Sequence, residues 1–312
     1  MTRPSRPAED DAAVDLELDG RTVRITHPRR VIWPATGTEK LTLVEYLVEI
    51  APVMLPYLRH RPTMLWRFPE GVDGPGWFQA QCRSRPPWVA THDIVGRRGD
   101  LLRYCVIDEP ATLAWLANLG TIELHPHGWT VDRPDEPSAL VIDLDPGPPA
   151  GVREAAVAAR LAADRLRSAG LQPVVKTSGR SGLHVAAALG PGERFDRVKA
   201  MGRSLADELA EARPDLLIAR NDRADRAGRV YVDWIQNDRN RQLIAPYSPR
   251  ATPIPTVSMP LTWDEVDAAA DGHVSALRPS FRSMLRRVER IGDLWLGGTE
   301  ARGPVSSLPL ER

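Results

Sequence analysis

The sequence predicts an α+β protein whose main sheet is mostly antiparallel. Short apolar segments of strand length occupy residues 138–147, 172–179 and 182–189, and two more candidate strands follow at 229–236 and 242–248. Only two helical patterns separate these segments, whereas a doubly wound parallel sheet needs a crossover helix after nearly every strand. Hairpin and helix patterns nearer the N-terminus predict a smaller module of α/β type beside this sheet.

The N-terminal part begins with a polar stretch and then alternates strand and helix signals. Residues 1–13 are predicted to form a disordered leader, and residues 14–28 alternate apolar and polar side chains across a glycine turn, as a β-hairpin does. Thr42 and Glu45 have the spacing of a capping box, which predicts the start of a helix. Residues 62–132 are rich in Pro and Trp and predict short strands, with one helix in the stretch ATLAWLANLG.

Two long helices and a C-terminal helical segment complete the predicted secondary structure. One helix is expected at about 151–169, ended by Gly170, and the other at about 194–212. A second capping-box pattern, Thr262 with Glu265, opens the C-terminal segment. The predicted layout is a single domain at 14–296, with an N-terminal module at about 14–135, a catalytic module at about 136–260, a helical segment at about 261–296 and a flexible tail at 297–312.

The basic residues are unusual although the formal net charge is zero, so the overall charge does not indicate a nucleic-acid partner. Only three of the 41 basic residues are lysine, at positions 40, 176 and 199. An arginine bias of this kind reflects either genomic base composition or phosphate recognition, to which the guanidinium fork is well suited. The sequence leaves both interpretations open.

Cysteine content and hydropathy exclude several other classes of protein. Cys82 and Cys105 are far apart and have no Cys or His at metal-ligand spacing, so the sequence excludes a zinc ribbon and predicts no disulfide framework. No apolar run approaches the length of a membrane span, and the N-terminus lacks a signal-peptide core. The chain is therefore predicted to be cytoplasmic, with no membrane partner.

Three aspartates form the central chemical hypothesis. Asp143 and Asp145 lie two residues apart in a candidate strand, so their side chains project from one face. Adjacent carboxylates repel unless a cation lies between them, and oxygen ligands suit Mg²⁺ or Mn²⁺. The D-x-D pair alone would also fit solvent-facing strand ends or a phosphatase with an aspartate nucleophile. Asp233, between apolar residues of another strand, supplies the third carboxylate expected of two-metal phosphoryl transfer.

A glycine-containing loop follows the strand at 172–179, in the stretch KTSGRSGLHV. It is not a phosphate-binding loop of the G-x-x-x-x-G-K-[ST] type. Its two glycines still allow backbone N–H groups to face an anion, and Ser178, Arg180 and His184 add donors. An ordinary hairpin turn with a buried histidine is the alternative. Arg250, in APYSPR, follows another candidate strand and is predicted either to reach a phosphate or to lie in solvent.

Four ordered motifs, VIDLDPGP, KTSGRSGLHV, YVDWIQN and APYSPR, together resemble the primase-polymerase domain of bacterial ligase D. That family belongs to the archaeo-eukaryotic primase superfamily and works in non-homologous end joining. The resemblance extends from about residue 22 to about residue 296. It implies the primase fold, with a catalytic sheet like that of RNA-recognition motifs. It also implies a nucleotidyltransferase that uses two Mn²⁺ or Mg²⁺ ions to add NTPs or dNTPs to a primer 3′ end.

The resemblance also implies roles for individual residues. Asp143, Asp145 and Asp233 match the family's catalytic metal ligands. Arg30 and Lys40 match a basic pair that holds the 5′ phosphate of the DNA, with arginine where the family usually has lysine. Trp77 and Phe78 match aromatic residues that stack on template bases, as in other sequence-tolerant platforms. The predicted nucleotide-binding residues are Ser178, Arg180, Ser181, His184, Arg250, His125 and Gln236.

One departure and several partners complete the expectation. Ser181 replaces a lysine that the family commonly has, so triphosphate affinity or sugar selectivity is expected to differ. A ligase motif and room for a nuclease domain are absent, so the chain is predicted to work alone at the nucleoid, on gapped, nicked or broken DNA, with Ku and a DNA ligase acting in trans. De novo priming and a DNA-end-binding scaffold remain the alternative functions.

Overall fold

A computed structural model describes residues 11–96, 98–220 and 225–295 of the chain. Residues 1–10 of the predicted leader and the whole of the predicted tail (297–312) therefore lie outside the described residues. The helices are α1 (Lys40–Glu49), α2 (Ala51–Met54), α3 (Pro110–Asn118), α4 (Val152–Ser168), α5 (Phe195–Ala212), α6 (Trp263–Ala270) and α7 (Phe281–Ile291).

The strands are short, and most of them pair in an antiparallel manner. In chain order they are β1 (Val14–Leu18), β2 (Arg21–Ile25), β3 (Val31–Trp33), β4 (Thr38–Glu39), β5 (Pro62–Arg67), β6 (Trp77–Gln79), β7 (Thr91–Val95), β8 (Leu101–Val106), β9 (Thr121–Pro126), β10 (Ala139–Pro146), β11 (Pro173–Thr177), β12 (Leu183–Ala188), β13 (Leu217–Ile218), β14 (Val230–Asp233), β15 (Pro249–Arg250), β16 (Thr256–Val257) and β17 (Pro260–Leu261). The predicted α+β class is confirmed.

The main sheet has six strands in the order β13-β14-β10-β12-β11-β17. The β13–β14 pair is parallel, and the other pairs are antiparallel. Helices α4 and α5 pack on this sheet and bury small side chains, including Ala155, Ala159 and Ala206, which allow a close approach. Helices α4 and α5 thereby cover one face of the sheet. Functional side chains are therefore expected to project from the other face.

Strand β10 shows how the sequence assigns residues to the two faces. Leu140, Ile142 and Leu144 are fully buried. Because side chains alternate along a strand, Asp143 and Asp145 project from the opposite face. Burying three leucine- or isoleucine-sized side chains contributes about 1.5–3 kcal/mol each, which fixes the register of the strand and therefore the position of both carboxylates.

A second sheet lies in the N-terminal part of the chain and contains β5 to β9. Strand β5 pairs with β6, β8 and β9, and the separate hairpin of β1 and β2 matches the predicted hairpin. Helices α1 and α3 pack against each other beside these strands. Strand β9 carries Glu123, which contacts Arg250, and His125, which lines a cavity together with Asp143 of the main sheet.

Two sequence-based predictions of secondary structure are wrong. Helix α1 begins at Lys40 with Glu39 as its N-cap, so Thr42 lies within the helix and forms no capping box with Glu45. The cause is strand β4, which continues directly into the helix. Residues 242–248 form no regular strand, because they contain Pro246 and a positive φ of 66° at Tyr247.

The two cysteines, whose spacing indicated no disulfide framework, form one disulfide. Cys82 and Cys105 are joined, with their Cα atoms 5.0 Å apart. The segment that contains Cys82 runs alongside β8, and the backbone N–H of Cys82 donates a hydrogen bond to the carbonyl of Arg103. Spacing in the sequence carries no information about this contact between distant segments, because the two cysteines are 23 positions apart.

The C-terminal helices dock through a predicted cap and an aromatic stack. Thr262 and Glu265 form the predicted capping box at the start of α6, and Arg287 of α7 donates hydrogen bonds to the same glutamate. Phe281 stacks on Tyr46 of α1 with ring centroids 4.4 Å apart. No helix within the described residues is long and apolar enough to cross a membrane.

Candidate active site

A row of polar, mostly buried side chains crosses the face of the main sheet opposite to helices α4 and α5. Asp143 of β10 lies directly opposite Asp233 of β14 on one side and His184 of β12 on the other. His184 in turn lies opposite Lys176 of β11. Directly opposed residues of antiparallel strands share a face, so these four side chains form one line, with Asp145 two residues along β10. The three predicted aspartates are thus brought together.

The carboxylates carry an electrostatic penalty that a cation would relieve. Oδ1 of Asp143 is buried and has no hydrogen-bond partner among the described residues. Burial raises the pKa of Asp143 to about 6. Burial and the negative charge of Asp143 raise the pKa of Asp145 to about 6, and burial also raises the pKa of Asp233. Oxygen donors that repel one another in this way fit Mg²⁺ or Mn²⁺.

The carboxylates are not already gathered around a single point. The described residues contain no group of three or more histidine, cysteine or acidic side chains arranged to hold a metal ion. One oxygen of Asp233 instead accepts a hydrogen bond from the backbone N–H of Ile235 at 2.8 Å, and Arg226 lies 3.6 Å from Asp145. Binding a cation therefore requires the side chains to rotate towards one another.

The glycine loop between β11 and β12 lies next to this row, and its two glycines are required by close backbone approach. A Cβ atom on Gly179 would lie 2.4 Å from Cγ of Arg250, and φ at Gly179 is +75°. A Cβ atom on Gly182 would lie 2.5 Å from the carbonyl oxygen of Leu144 in β10. Neither distance is tolerated by a real Cβ atom, so glycine at both positions keeps the loop against the aspartates.

The loop side chains divide into a structural and an exposed group. Oγ of Ser178 accepts hydrogen bonds from the backbone N–H groups of Arg180 and Gly182, at 3.2 and 3.1 Å, and so holds the turn. Its own hydroxyl proton remains available for a ligand. Arg180 and Ser181 are exposed at the tip, and both line the same cavity as the aspartates.

Arg250 is held in the site by a glutamate that the sequence analysis did not select. Nη1 of Arg250 lies 3.1 Å from Glu123 of β9, which is fully buried, and Nε of Arg250 is buried with no hydrogen-bond partner within the described residues. Burial opposes the ionisation of Glu123, but a hydrogen bond from His125 and the charge of Arg250 outweigh it and lower the pKa of Glu123. His125 therefore points its ring at this buried anion.

Phe78 lies close to the same site, and Trp77 lies further from it. The ring of Phe78 stacks on Trp66 at 4.7 Å and meets His125 edge-on at 5.8 Å. Trp77 faces the guanidinium of Arg67 instead. Both aromatic side chains are about half exposed, at 57% for Phe78 and 45% for Trp77, although they alternate in strand β6. Neither is part of the core.

Arg30 and Lys40 form a separate basic pair at the start of α1. The backbone N–H of Lys40 donates to the carbonyl of Arg30 at 2.8 Å, and Nζ of Lys40 donates to the carbonyl of Thr26 at 2.6 Å. Burial and the nearby charge of Arg30 lower the pKa of Lys40. An anion here would be favoured by both cations and by the N-terminal end of the helix.

All the predicted residues of the main site except Asp233 line one cavity of ≈ 230 Å³. Its lining includes His125, Asp143, Arg180, His184 and Gln236. A second, mostly apolar cavity of ≈ 110 Å³ adjoins it across Gln236, Leu243 and Ile244. A cavity lined by charged side chains therefore lies next to a mostly apolar cavity.

The hydrogen bonds of His127, behind this site, predict a dependence of stability on pH. Its Nδ1–H donates to the carbonyl of Pro62 at 2.7 Å, and its Nε2 accepts from Gln242, which lines the cavity. Burial lowers the pKa of His127 to about 4. Between pH 6.5 and about 4, His127 is therefore protonated in the unfolded chain but not in the folded chain. The free energy of unfolding falls as the pH falls through this range.

Acidification from pH 7 to pH 4 should remove about 2–3 kcal/mol of unfolding free energy through His127 alone. Urea titrations of the wild type and His127→Gln, at a series of pH values, measure this difference. The variant should be less stable at pH 7 but should show a shallower loss on acidification. His273→Gln, at an exposed histidine, is the matched control. Parallel pH profiles for wild type and His127→Gln would contradict the assignment.

Carboxylates on a sheet that could hold divalent metal ions, beside arginines that suit phosphate, are typical of nucleotidyltransferases, and the fold and the site are those of this class of enzyme. A family model described as "LigD, primase-polymerase domain" matches residues 39–295. The chain belongs to this family, the polymerase domains of ligase D. The polymerase domain from Mycobacterium tuberculosis ligase D, solved in complex with DNA, superimposes with a TM-score of 0.82 at 34% identity, covering 90% of this chain and 99% of that one.

Full-length relatives show the same relationship. The multifunctional non-homologous end joining DNA repair protein LigD of Mycobacterium tuberculosis is 35% identical over 293 residues, which is 91% of this chain and 38% of that protein. The LigD proteins of Pseudomonas aeruginosa and Bacillus subtilis are 30% and 26% identical, over 97% and 86% of this chain and 36% and 42% of their own lengths. The chain spans well under half the length of these relatives. The archaeo-eukaryotic primase fold is confirmed.

Proposed function

We propose that this chain is a template-dependent polymerase that adds NTPs or dNTPs to the 3′ end of a DNA primer during gap filling or end joining. One observation carries the proposal: Asp143 and Arg250 line one cavity, and Oδ1 of Asp143 and Nε of Arg250 are each buried without a hydrogen-bond partner among the described residues. The cavity wall thus offers an acceptor to a cation and a donor to an anion. A nucleoside triphosphate with its divalent metal ions supplies both.

Each side of the cavity has a separate task in this reaction. Asp143, Asp145 and Asp233 would hold two Mn²⁺ or Mg²⁺ ions, which when bound activate the attacking hydroxyl and neutralise charge on the triphosphate. Arg250 and Arg180 would bind the phosphate oxygens from the opposite side, with arginine forks that suit phosphate geometry. The hydroxyl proton of Ser178 and a ring N–H of His184 would add neutral donors.

Arg180 offers an explanation of how the chain manages without the usual loop lysine. Ser181 is uncharged, but Nη2 of Arg180 lies 3.7 Å from Glu123, and its guanidinium lies 5.3 Å from the centroid of Trp66. The arginine is therefore oriented beside Arg250. We propose that it supplies the positive charge that the family usually takes from lysine.

Template contact is assigned to Phe78. Its ring lies against Trp66 and His125 at the rim of the nucleotide cavity, with more than half of its surface exposed. A base stacked there would adjoin an incoming nucleotide in the cavity, and stacking on an aromatic face tolerates any sequence. Trp77 would instead stabilise the pairing of β6 with β5, because its ring contacts the guanidinium of Arg67 in β5. DNA as the ligand is supported by the similar polymerase domain from Mycobacterium tuberculosis, which was solved in complex with DNA.

A primer-extension assay on a 5′-phosphorylated gapped duplex tests the proposal directly. Extension is expected in the presence of Mn²⁺ or Mg²⁺, to depend on the template base, and to stop when the metal is chelated; NTPs and dNTPs are compared in parallel. Strand synthesis without any primer would instead indicate a primase. Binding to the same DNA without extension by any nucleotide would indicate a scaffold for DNA ends at the nucleoid and overturn the polymerase assignment. Ku and a DNA ligase are the proposed partners for joining the filled ends.

Arg30→Ala together with Lys40→Ala is expected to abolish the preference for 5′-phosphorylated gaps. The two cations lie close together at the start of α1, so their removal should leave DNA binding intact but abolish recognition of the 5′ phosphate. The slope of log affinity against log salt should also fall by about 1 for each phosphate that the variant no longer neutralises. Because Lys40 is buried, Arg30→Ala alone and a thermal melt accompany the double variant. Unchanged discrimination in a folded variant would refute the role.

A further inference from the structure

Tyr247 has a backbone conformation for which the proposed reaction gives no reason. Its φ is 66°, in the left-handed region, where a bulky side chain is rarely found because of steric strain. The residue is almost completely buried, at 1% exposure, and lies three positions before Arg250. A conformation of this kind persists only where the surrounding structure holds it, and such residues are concentrated at functional sites.

The side chain of Tyr247 is held by the segment that follows helix α7. Its hydroxyl donates a hydrogen bond to Oδ1 of Asp293. The other carboxylate oxygen of Asp293 accepts a hydrogen bond from the hydroxyl of Tyr57, and the backbone N–H of Trp295 donates to Oδ1 at 2.9 Å. Because two further groups fix its carboxylate, Asp293 can anchor the ring of Tyr247.

The backbone of Tyr247 is held separately, at both of its polar groups. Its carbonyl oxygen accepts a hydrogen bond of 2.7 Å from the hydroxyl of Tyr46 in α1. Its N–H donates to the carbonyl of Ser258, between β16 and β17, also at 2.7 Å. Three segments that are distant in sequence therefore hold this one residue in its left-handed conformation.

The chain runs from Tyr247 directly to the arginine that faces the triphosphate site. Oγ of Ser248 accepts a hydrogen bond of 3.1 Å from the backbone N–H of Leu124, which attaches the next residue to β9. Two positions later, Arg250 reaches Glu123 of the same strand at 3.1 Å. Rotation about φ of Tyr247 would change the direction of the backbone that follows, and would move Arg250 away from Glu123 and from the cavity.

We infer that Tyr247 is a positioning residue for Arg250, and that Asp293 holds Tyr247 in this role. The inference rests on the proposed function and deepens it, because it gives the segment after α7 a part in binding the triphosphate. The left-handed conformation of Tyr247 sets the direction in which the chain enters β15. Tyr247 and Asp293 act through Arg250 and do not themselves touch the substrate.

Two tyrosine variants that share one carboxylate test the inference. Tyr247→Phe removes its hydrogen bond to Asp293 and should raise the KM for the nucleotide about fivefold, with kcat and the affinity for gapped DNA nearly unchanged. Tyr57→Phe removes the other hydroxyl from the same carboxylate and is the matched control, which should keep the wild-type KM. Tyr46→Phe releases the carbonyl of Tyr247 and should reproduce the rise. Thermal melts establish that each variant is folded.

Amide hydrogen exchange in the nucleotide-free protein separates this inference from the proposed function. The backbone N–H of Ala251 donates at 2.9 Å to the carboxylate that Arg250 contacts, so its exchange rate reports whether this segment stays in place. Exchange should be faster in Tyr247→Phe and Tyr46→Phe than in the wild type, and unchanged in Tyr57→Phe. An enzyme with no polymerase activity would refute the proposed function but leave this comparison standing.

Two results would overturn the inference. One is the same rise in KM and in exchange rate for Tyr57→Phe as for Tyr247→Phe, which would mean that the carboxylate of Asp293 serves the fold alone. The other is a wild-type KM and exchange rate in a folded Tyr247→Phe or a folded Tyr46→Phe, which would mean that Arg250 keeps its place without this support.

Discussion

Replacing Asp143 with alanine is expected to lower the rate of nucleotide addition at least about a thousandfold, since metal ions at such a site supply several kcal/mol of transition-state stabilisation. Asp143 is the central member of the three carboxylates, directly opposite Asp233 in the sheet. Without Asp143, the carboxylate between Asp145 and Asp233 that would help to hold the metal ions is missing. Affinity for gapped DNA should be nearly unchanged, because the DNA contacts assigned to Arg30, Lys40 and Phe78 are elsewhere.

Single-turnover extension and DNA-binding titrations separate these effects. The fold should tolerate the change, because burial disfavours the charged Asp143 and its Oδ1 makes no hydrogen bond within the described residues, although Nε2 of His184 lies 3.3 Å away. Asp207→Ala, at an exposed aspartate on α5, is the control for loss of a carboxylate and should behave as wild type. Extension by Asp143→Ala at a rate near that of the wild type would show that the metal ligands have been misassigned.

Arg250→Ala is expected to lower kcat/KM for the incoming nucleotide by about a hundredfold, the loss typical of charge-assisted hydrogen bonds to a phosphate. Most of the effect should appear in KM, because Arg250 binds the triphosphate in the ground state as well as in the transition state. Arg250→Lys should recover only part of it, since lysine keeps the charge but not the fork. Steady-state kinetics at varied nucleotide concentration make the comparison.

A companion variant distinguishes binding from folding in this experiment. Arg250 also neutralises Glu123, which is fully buried, so Arg250→Ala leaves a buried anion short of a partner. Arg250→Ala combined with Glu123→Gln removes both charges and should recover stability without recovering nucleotide affinity. Recovery of kcat/KM in the double variant would mean that Arg250 serves the fold and not the triphosphate.

The catalytic strand can be predicted from sequence because two simple rules meet there. The apolar alternation of β10 fixes which face is buried, and the i, i+2 spacing then places Asp143 and Asp145 together on the other face. Helices α4 and α5 are predicted to within a residue or two, because glycine and periodic alanines and leucines mark them clearly. In β10, α4 and α5, the secondary structure that the local sequence pattern favours is also the one found in the folded protein.

Contacts between distant segments cannot be predicted in the same way. Glu123 and His125 lie two residues apart in a strand, a spacing that could have flagged them as a pair, but only the fold shows that Arg250 completes the group. Lys176 carries a similar signal, as a rare lysine inside an apolar strand. The Cys82–Cys105 pair has none, because it depends on how the segment that contains Cys82 runs along β8.

Anomalous diffraction from crystals soaked in Mn²⁺ and a non-hydrolysable nucleoside triphosphate tests most directly whether the three aspartates hold the catalytic metals. Two manganese peaks should appear about 3.5–4 Å apart, coordinated by Asp143, Asp145 and Asp233. The triphosphate should lie between these ions and Arg250. Manganese peaks elsewhere, or a triphosphate bound without contact to the aspartates, would contradict the assignment of this site as a two-metal polymerase centre.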